Sequence, residues 1–417
     1  MNKATNKADN YKRLWAKSEP KHPLWKHLLD TAAISMSLPP LKIDSGWGER
    51  ELAFLVGLHD IGKADSYFQY QAPVFSEEDK EVFANTADTP CRHERISARF
   101  IKNKLTALGM NDFVVDTISR SILAHHGYWH EDAPDRSEVY QNAQRDLYDM
   151  LMAVLEVNKL PNSVSINLSA FGMLLAGHIV ICDWIASNEN YFTDQQLQGK
   201  DDPQEYFRKT LEVAKKWVTN LGLDGNRDIG QENSIIEDAR PIQKALLKTN
   251  IPPSLVIIEA PMGEGKTEAA WILAEKWRSQ GYNGIYMALP TMATSDSLYL
   301  RYIRDYLKKT GRGETAKLVH GMAWLRDEQE TEIQLKVGEN EDDQALATAW
   351  FRPTRRAMLA RHGVGTIDQA MLAGMNVKFG FLRLYGLSGR VLVIDELHAY
   401  DAYMSAIIVR LLNWCSA

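Results

Sequence analysis

The chain has 417 residues, 45% of them hydrophobic and 24% charged, with a formal net charge of −6. That balance fits a soluble globular protein of roughly two or three domains and excludes a disordered or fibrous chain. It carries no global basic signature for nucleic acid, though a local basic groove stays open. Cys91, Cys182 and Cys415 lie far apart without a CxxC pair, so a thiolate zinc site is not expected.

Residues 1–10 are polar and lack the apolar core of a signal peptide. The longest apolar stretch, 171–186, contains His178 and Asp183 and is too short and polar to span a bilayer. A cytoplasmic enzyme with no membrane partner is expected. After a polar, aromatic-flecked lead-in over 1–25, apolar residues recur at three and four positions as far as Trp217. This spacing predicts helices over 28–34, 49–58, 96–108, 113–123, 145–157 and 169–186. Pro39-Pro40 and the 76–90 stretch interrupt them as loops.

Between Gly222 and Glu232 the composition shifts to Gly, Asn and Asp, which sets a boundary between domains 1–225 and 226–417. Beyond it, short buried-strand candidates at 255–258, 284–288, 317–319 and 391–394 alternate with helices at 268–279 and 295–307. Alternation of this kind implies a mainly parallel α/β sheet. Residues 327–343 are acidic and turn-rich, as in a solvated surface insertion.

Several chemically demanding residues fall within the helical half. The sequence Gly57-Leu58-His59-Asp60-Ile61-Gly62-Lys63 closes an apolar run, and His27, His93, the pair His125-His126 and Asp183 each sit in or beside a predicted helix. Any one of them fits a satisfied core residue or a helix end. A core does not bury them together without a partner, and a metal ion is the natural one. The donors exceed what one tetrahedral ion takes, so two adjacent ions are expected, of the kind that clamps both oxygens of a phosphoryl displacement. A nitrogen-rich shell favours Mn, Fe, Co, Ni or Zn over Mg. Lys63 is either a solvated lysine or a point charge for a substrate phosphate.

The arrangement resembles the HD phosphohydrolase superfamily. More narrowly, the order and context of His27, His59-Asp60, His93, His125-His126 and Asp183 resemble the HD nuclease of the CRISPR-associated type I helicase-nuclease family. The resemblance implies that Asp60 bridges two metals. It also implies that His27, His59 and Asp183 hold one ion, and His93, His125 and His126 the other.

The second half adds a nucleotide motif. Ala260-Pro261-Met262-Gly263-Glu264-Gly265-Lys266-Thr267 follows a predicted strand and opens a predicted helix, as a phosphate loop requires. Loop amides would cradle phosphates, Lys266 would reach the β- and γ-phosphates, and Thr267 would hold Mg²⁺. Ala260 replaces the usual first glycine, a form resembling superfamily 2 helicases. Val391-Leu392-Val393-Ile394-Asp395-Glu396-Leu397-His398 ends an apolar run in two carboxylates. Asp395 would serve Mg²⁺ through water and Glu396 the attacking water. His398 either couples nucleotide state to a nucleic-acid site or is a surface histidine. Gln243, after Arg240-Pro241-Ile242, either reads adenine or caps a helix. Segments around Thr291 and Thr294, His320-Gly321, and Thr366 resemble the family's DNA-contacting motifs, whose hydroxyls and amides would bind phosphates. Arg352, Arg355, Arg356 and Arg361 form either a DNA-facing basic cluster or a solvated helix face.

The fold class expected is therefore multidomain: an all-α HD-type domain followed by an α/β RecA-like domain. The resemblance implies a CRISPR interference effector, recruited by a crRNA-guided surveillance complex, that cleaves single-stranded DNA and pulls it 3′ to 5′ with ATP and Mg²⁺. The sequence ends about twenty residues after Asp395, before the second RecA-like domain of that family. Taken alone it is expected to cleave DNA without translocating. An HD nucleotide phosphohydrolase and a scaffold with structural metals are the alternatives.

Overall fold

The structure, a computed structural model, describes residues 7–18, 21–41, 46–71, 76, 79–80, 83, 89–127, 136–164, 167–192, 201–225, 236, 238–310, 316–320, 351 and 354–417. The chain divides into two compact units, Met1–Thr219 and Asn220–Ala417. The acidic insertion expected at 327–343 lies outside the described residues, as do Gly321 and Arg352.

The first unit is helical. A small hairpin, β1 (Trp15–Lys17) with β2 (His22–Pro23), leads into α1 (Leu24–Ser37), α2 (Glu49–Gly57), α3 (His93–Ala107) and α4 (Asp112–Leu123). α5 (Glu138–Val154), α6 (Leu168–Ala186) and α7 (Pro203–Asn220) follow. Helix α1 packs on α2 and α6, and α4 packs on α3 and α6. Leu28, Leu29, Phe54, Leu55, Ile118, Leu147, Phe171, Leu175 and Ile179 are fully buried between them. Each such side chain contributes about 1.5–3 kcal/mol relative to exposure. The starts of α4 and α6 are set by asparagine caps: Asn111 accepts from Phe113 N and Val114 N, and Asn167 from Ser169 N and Ala170 N.

Helix α6 is apolar around most of its circumference and long enough, by length and composition, to cross a membrane, yet 67% of its apolar window is buried inside the unit. It is a core helix: its buried His178 meets Ser35 Oγ at 2.9 Å, and Asp183 near its end faces the site described below. The helix expected over 96–108 begins three residues earlier, which places His93 on its first turn. The one expected over 145–157 runs from Glu138 to Val154 and stops where Glu156 takes a left-handed φ of 54°. The lead-in expected over 1–25 contains real structure. Gln69 stitches β1 down: its Oε1 accepts from Trp15 N, while its Nε2 donates to Trp15 O and to Lys63 O.

The second unit is a parallel four-stranded sheet in the order β4 (Ala316–Val319), β5 (His362–Thr366), β3 (Ile285–Leu289), β6 (Val391–Ile394). Helix α9 (Lys266–Ser279) covers it through Trp271, Leu273, Ala274 and Trp277, which cluster with Ile285, Met287 and Val391. α8 (Pro241–Lys248) packs on α9, and α10 (Met292–Arg301) continues as a π-helical stretch, Tyr302–Leu307. The helix α11 (Gly380–Leu387) precedes β6, and α12 (Ala402–Ser416) follows it.

One strand expectation is corrected, and one strand was not expected. Residues 255–258 form no strand among the described residues. Val256 packs on the core, but Leu255 and Ile257 are 73% and 71% exposed, and no neighbouring strand supplies a ladder. Conversely, β5 carries no strand signal in sequence because Gly363 and Gly365 replace β-formers. Both are needed, since a Cβ on Gly365 would lie 2.1 Å from Val319 O and one on Gly363 2.7 Å from the Tyr286 ring.

Candidate metal centre and phosphate loop

The seven residues singled out in the helical half converge. His27, on α1, lies over the turn after α2 that carries His59 and Asp60. The 3₁₀ turn Ala124–His126 after α4 adds His125 and His126, α3 adds His93, and α6 adds Asp183. One ligand atom from each of His27, His59, Asp60 and Asp183 falls within 4.8 Å of the others, and the same holds for His93, His125 and His126.

Asp60 lies between the two groups. Its Oδ2 is 3.1 Å from His27 Nε2 and 3.4 Å from His59 Nε2. Its Oδ1 is 3.2 Å from His93 Nε2 and 3.4 Å from His125 Nε2. Asp183 Oδ1 sits 3.6 Å from both His27 Nε2 and His59 Nε2.

The donor chemistry fits metal ions. His59 Nδ1 contacts Val56 O at 2.8 Å and His125 Nδ1 contacts Ile122 O at 2.6 Å. A carbonyl only accepts, so each Nδ1 carries a proton and each Nε2 is turned toward the cluster. Among the described residues, His59 Nε2, His125 Nε2 and Asp60 Oδ1 are buried and meet only other cluster atoms, at distances too long or angles too poor for a hydrogen bond. His126 Nε2 faces His93 Nε2 at 3.0 Å, a contact two bare lone pairs would not hold. Buried polar atoms without partners need an explanation, and ligation supplies one.

Electrostatics prepare the same state. Burial opposes ionisation of Asp60, but His59, Lys63 and the close imidazoles of His125 and His27 outweigh it and hold the carboxyl well below its usual range. Asp183 is likewise held down against burial by hydrogen bonds with His27 and His59. Burial depresses His93, and burial with the neighbouring His125 and His93 depresses His126 to about 4. Burial also works against charge on His59, yet Asp60 and Asp183 raise it to about 10. Without metal, His59 therefore carries the proton that a ligated ion would displace.

Two residues tune the turn. Lys63 Nζ lies 2.6 Å from Asp60 Oδ2 and 5.5 Å from the Phe68 ring centroid. Gly62 N donates to Ser97 Oγ, and a Cβ at Gly62 would meet His93 O at 2.1 Å. Gly62→Ala must push α3 and His93 away, and is expected to cost about 1–3 kcal/mol, read as a lower urea midpoint.

The histidine shifts fix a pH dependence for the metal-free chain. His126 has an ordinary value of 6.5 and sits at about 4 when folded. The unfolded chain therefore takes up the proton first, so the contribution of His126 is full above about 6.5 and is lost as the pH falls toward 4. His93 shifts the same way. His59 is raised, so its contribution is already complete below 6.5 and is constant across this window. The urea midpoint of chelator-treated chain is expected to be lower at pH 5 than at pH 6.5; an equal or higher midpoint contradicts this reading.

Sequence reasoning missed Lys17 and His22. The hairpin sets Lys17 beside the end of α6, where its Nζ donates to Ser187 O, while Ser187 Oγ donates to Asp183 Oδ1 at 2.9 Å. Burial lowers Lys17, opposed by Glu189 and Asp183. His22 Nε2 lies 2.8 Å from the buried Asp30, which also accepts from Tyr206 OH and Thr210 Oγ1. Strands of three and two residues leave too short a pattern to read from sequence.

In the second unit, Gly263 and Gly265 take left-handed φ of 80° and 77°, turning the loop into the N-terminus of α9. Lys266 Nζ folds back to donate to Ala260 O at 2.8 Å and Pro261 O at 3.2 Å. Thr267 follows it on the first turn of α9. Gln243 accepts from Arg240 N and donates to Gly265 O at 3.1 Å, which ties α8 to the loop. Asp395 and Glu396 follow β6, with Glu396 at φ 52° and its N–H donating to Asp395 Oδ1. His398 Nδ1 is 3.4 Å from Glu396 Oε2.

Thr291 and Thr294 bond one another in the capping box of α10, and Thr366 is buried at the end of β5. His320 Nε2 is 2.9 Å from Asp296. Arg361 Nη2 points at Gly222 O and Asp224 Oδ1, both at 3.4 Å, and Arg356 is half-buried. The side chain of Arg355 lies outside the description.

A helical unit with a two-part His/Asp cluster around one aspartate, in a chain that also carries a parallel-sheet unit with a phosphate-type loop, defines an HD-domain protein with a P-loop partner. Residues 15–192 match the family model described as Cas3, HD domain. The chain is 33% identical to the CRISPR-associated endonuclease/helicase Cas3 of Thermus thermophilus, over 97% of this chain and 48% of that protein. It superposes on the crystal structure of T. fusca Cas3-ATP with a TM-score of 0.81 at 26% identity, over 97% of this chain and 49% of that one. It also shares the fold of a chain in a CRISPR RNA-guided surveillance complex, pre-nicking, with a TM-score of 0.68 at 24% identity, over 97% and 46% of the two chains. The chain spans about half the length of the curated relatives it matches. Residues 15–192 thus carry the Cas3 HD-domain pattern, and the chain as a whole is similar to Cas3 proteins over about half of their length.

Proposed function

We propose that the helical unit is a metal-dependent nuclease acting on single-stranded DNA, and that the α/β unit binds ATP and Mg²⁺ as part of a 3′-to-5′ motor. The observation that supports this most is Asp60, whose two oxygens address different histidine groups. His27, His59 and Asp183 would hold one ion with Asp60, and His93, His125 and His126 the other. The five imidazoles favour Mn, Fe, Co or Ni over Mg. When bound, such a metal pair supplies hydroxide near neutral pH and offsets charge on a phosphodiester.

The chain's own residues do the positioning. Asp60 and Asp183 are ionised before any ligand arrives, and His93 and His126 are neutral. Carbonyls of Val56 and Ile122 fix the tautomers of His59 and His125. Lys63 places an ammonium against Asp60 where a scissile phosphate would otherwise meet only carboxylates and rings. In the second unit, Lys266 would reach the β- and γ-phosphates, Thr267 and Asp395 would hold Mg²⁺, and Glu396 would orient water. Gln243 steadies the loop from below. Thr291, Thr294, Thr366, Arg355 and Arg356 are the candidates for tracking a DNA backbone.

In this reading the protein acts in the cytoplasm and is brought to DNA opened by a crRNA-guided surveillance complex. Incubating the metal-loaded chain with circular single-stranded DNA and, separately, with deoxynucleoside triphosphates tests the substrate. Nicking of the circle without phosphate release from the nucleotides is expected; phosphate release without nicking overturns it.

A further inference from the structure

Outside the seven cluster residues, one buried carboxylate lies against the metal centre without a role in it. Glu94 follows His93 on the first turn of α3 and is 1% exposed. Its Oε1 faces the exposed Arg92 Nε at 2.5 Å, and its Oε2 faces His93 Nδ1 at 3.8 Å. Among the described residues, Oε2 has no hydrogen-bond partner. An acidic residue near a helix N-terminus ordinarily stays in water or accepts from a free backbone N–H. Glu94 is buried and does neither. Arg92 offsets its charge from one side, which leaves Oε2 turned inward toward the histidine.

The other imidazoles show what an acceptor in this place does. The Nδ1 protons of His59 and His125 are held by the carbonyls of Val56 and Ile122. Among the described residues no carbonyl takes that place at His93, and Glu94 Oε2 is the acceptor that faces its Nδ1. His93 Nε2 points into the cluster, 3.2 Å from Asp60 Oδ1 and 3.0 Å from His126 Nε2. A neutral ring that gives its Nε2 lone pair to an ion carries its proton on Nδ1. A carboxylate that accepts from Nδ1 fixes the ring and makes Nε2 a better ligand. Bringing the contact to charge-assisted hydrogen-bond length asks for roughly 1 Å, within reach of side-chain rotation.

The distribution of charge agrees. His27 and His59 have Asp183 beside the shared Asp60, whereas the group of His93, His125 and His126 contains no carboxylate of its own among the described residues. Glu94 supplies one, a layer further out. It reaches His126 as well: burial, His125 and His93 depress that imidazole, while Asp60 and Glu94 work in the opposite direction.

We propose that Glu94 is a positioning residue for the metal position of His93, His125 and His126, accepting a hydrogen bond from His93 Nδ1 when an ion is held at Nε2. Its role rests on the two-metal reading of the cluster and extends that reading beyond the donor set.

The test counts bound ions instead of cleavage. Metal-free wild type, Glu94→Gln and Glu94→Leu are titrated with Mn²⁺, and the free ion is followed by electron paramagnetic resonance. Two equivalents are expected in the wild type. One of them should bind about tenfold more weakly in Glu94→Gln, which keeps the shape without the charge, and up to about 100-fold more weakly in Glu94→Leu. The other equivalent should keep its affinity within about threefold, because its ligands do not touch Glu94. The melting temperature of the metal-free Glu94→Gln chain should be unchanged or higher, since Oε2 makes no hydrogen bond to lose. Glu94→Gln decides the matter where Glu94→Leu does not fold. Wild-type affinity for both equivalents in Glu94→Gln, or equal weakening of the two, would overturn the proposal and leave the two-metal reading standing. Fewer than two equivalents in the wild type would remove that reading and the role of Glu94 with it.

Discussion

Asp60→Ala is expected to lower metal-dependent cleavage of single-stranded DNA by a factor on the order of a thousand or more, equivalent to about 4 kcal/mol of transition-state stabilisation. The reason is geometric. Asp60 alone among the cluster residues presents an oxygen to each histidine group, so its removal unlinks both sets of ligands rather than weakening one. Lys63 also loses its partner. The fold should survive, because α1, α2, α4 and α6 pack through apolar residues that Asp60 does not touch. Circular dichroism and a cleavage time course on the same preparation separate the two effects. Cleavage within tenfold of wild type would show that the two histidine groups work without their shared carboxylate.

Lys266→Ala is expected to weaken MgATP binding about 10- to 100-fold, or roughly 1.4–2.8 kcal/mol. In the structure its ammonium is satisfied by Ala260 O and Pro261 O, so the side chain is already curled over the loop it would serve. Moving it from two neutral carbonyls to charged phosphate oxygens is a favourable exchange. Gly263 and Gly265 keep their left-handed turns in the variant, so loop shape is preserved and the loss reports the charge. Titration with a fluorescent ATP analogue reads it. An affinity within twofold of wild type would remove Lys266 from the phosphate site.

Much of the architecture was legible in the sequence because its signals are local. The 3.6-residue periodicity located α2, α4 and α6 within a residue or two, and the apolar runs at 284–288 and 391–394 are strands β3 and β6. The convergence of the His/Asp cluster was legible for a different reason. Polar residues inside apolar helices must meet something, and here His27, His59, His93, His125, His126, Asp60 and Asp183 meet one another.

What escaped depends on distant partners. β5 is hidden by glycines whose purpose is visible only once Tyr286 and Val319 are in place. The run 255–258 has strand composition but no ladder partner, and composition cannot report that. Lys17 reaches the neighbourhood of Asp183 through a hairpin too short to leave a pattern, pinned by Gln69 from 54 residues away.

The central claim is that one aspartate joins two metal positions. Elemental analysis of the purified chain, after reconstitution with Mn, Fe, Co or Ni and removal of loose metal, tests it most directly when wild type and Asp60→Ala are run side by side. Two equivalents of transition metal per chain in the wild type, with both lost or strongly weakened in Asp60→Ala, is the expected result. One equivalent or none in the folded wild-type chain, or two retained by Asp60→Ala, would contradict it.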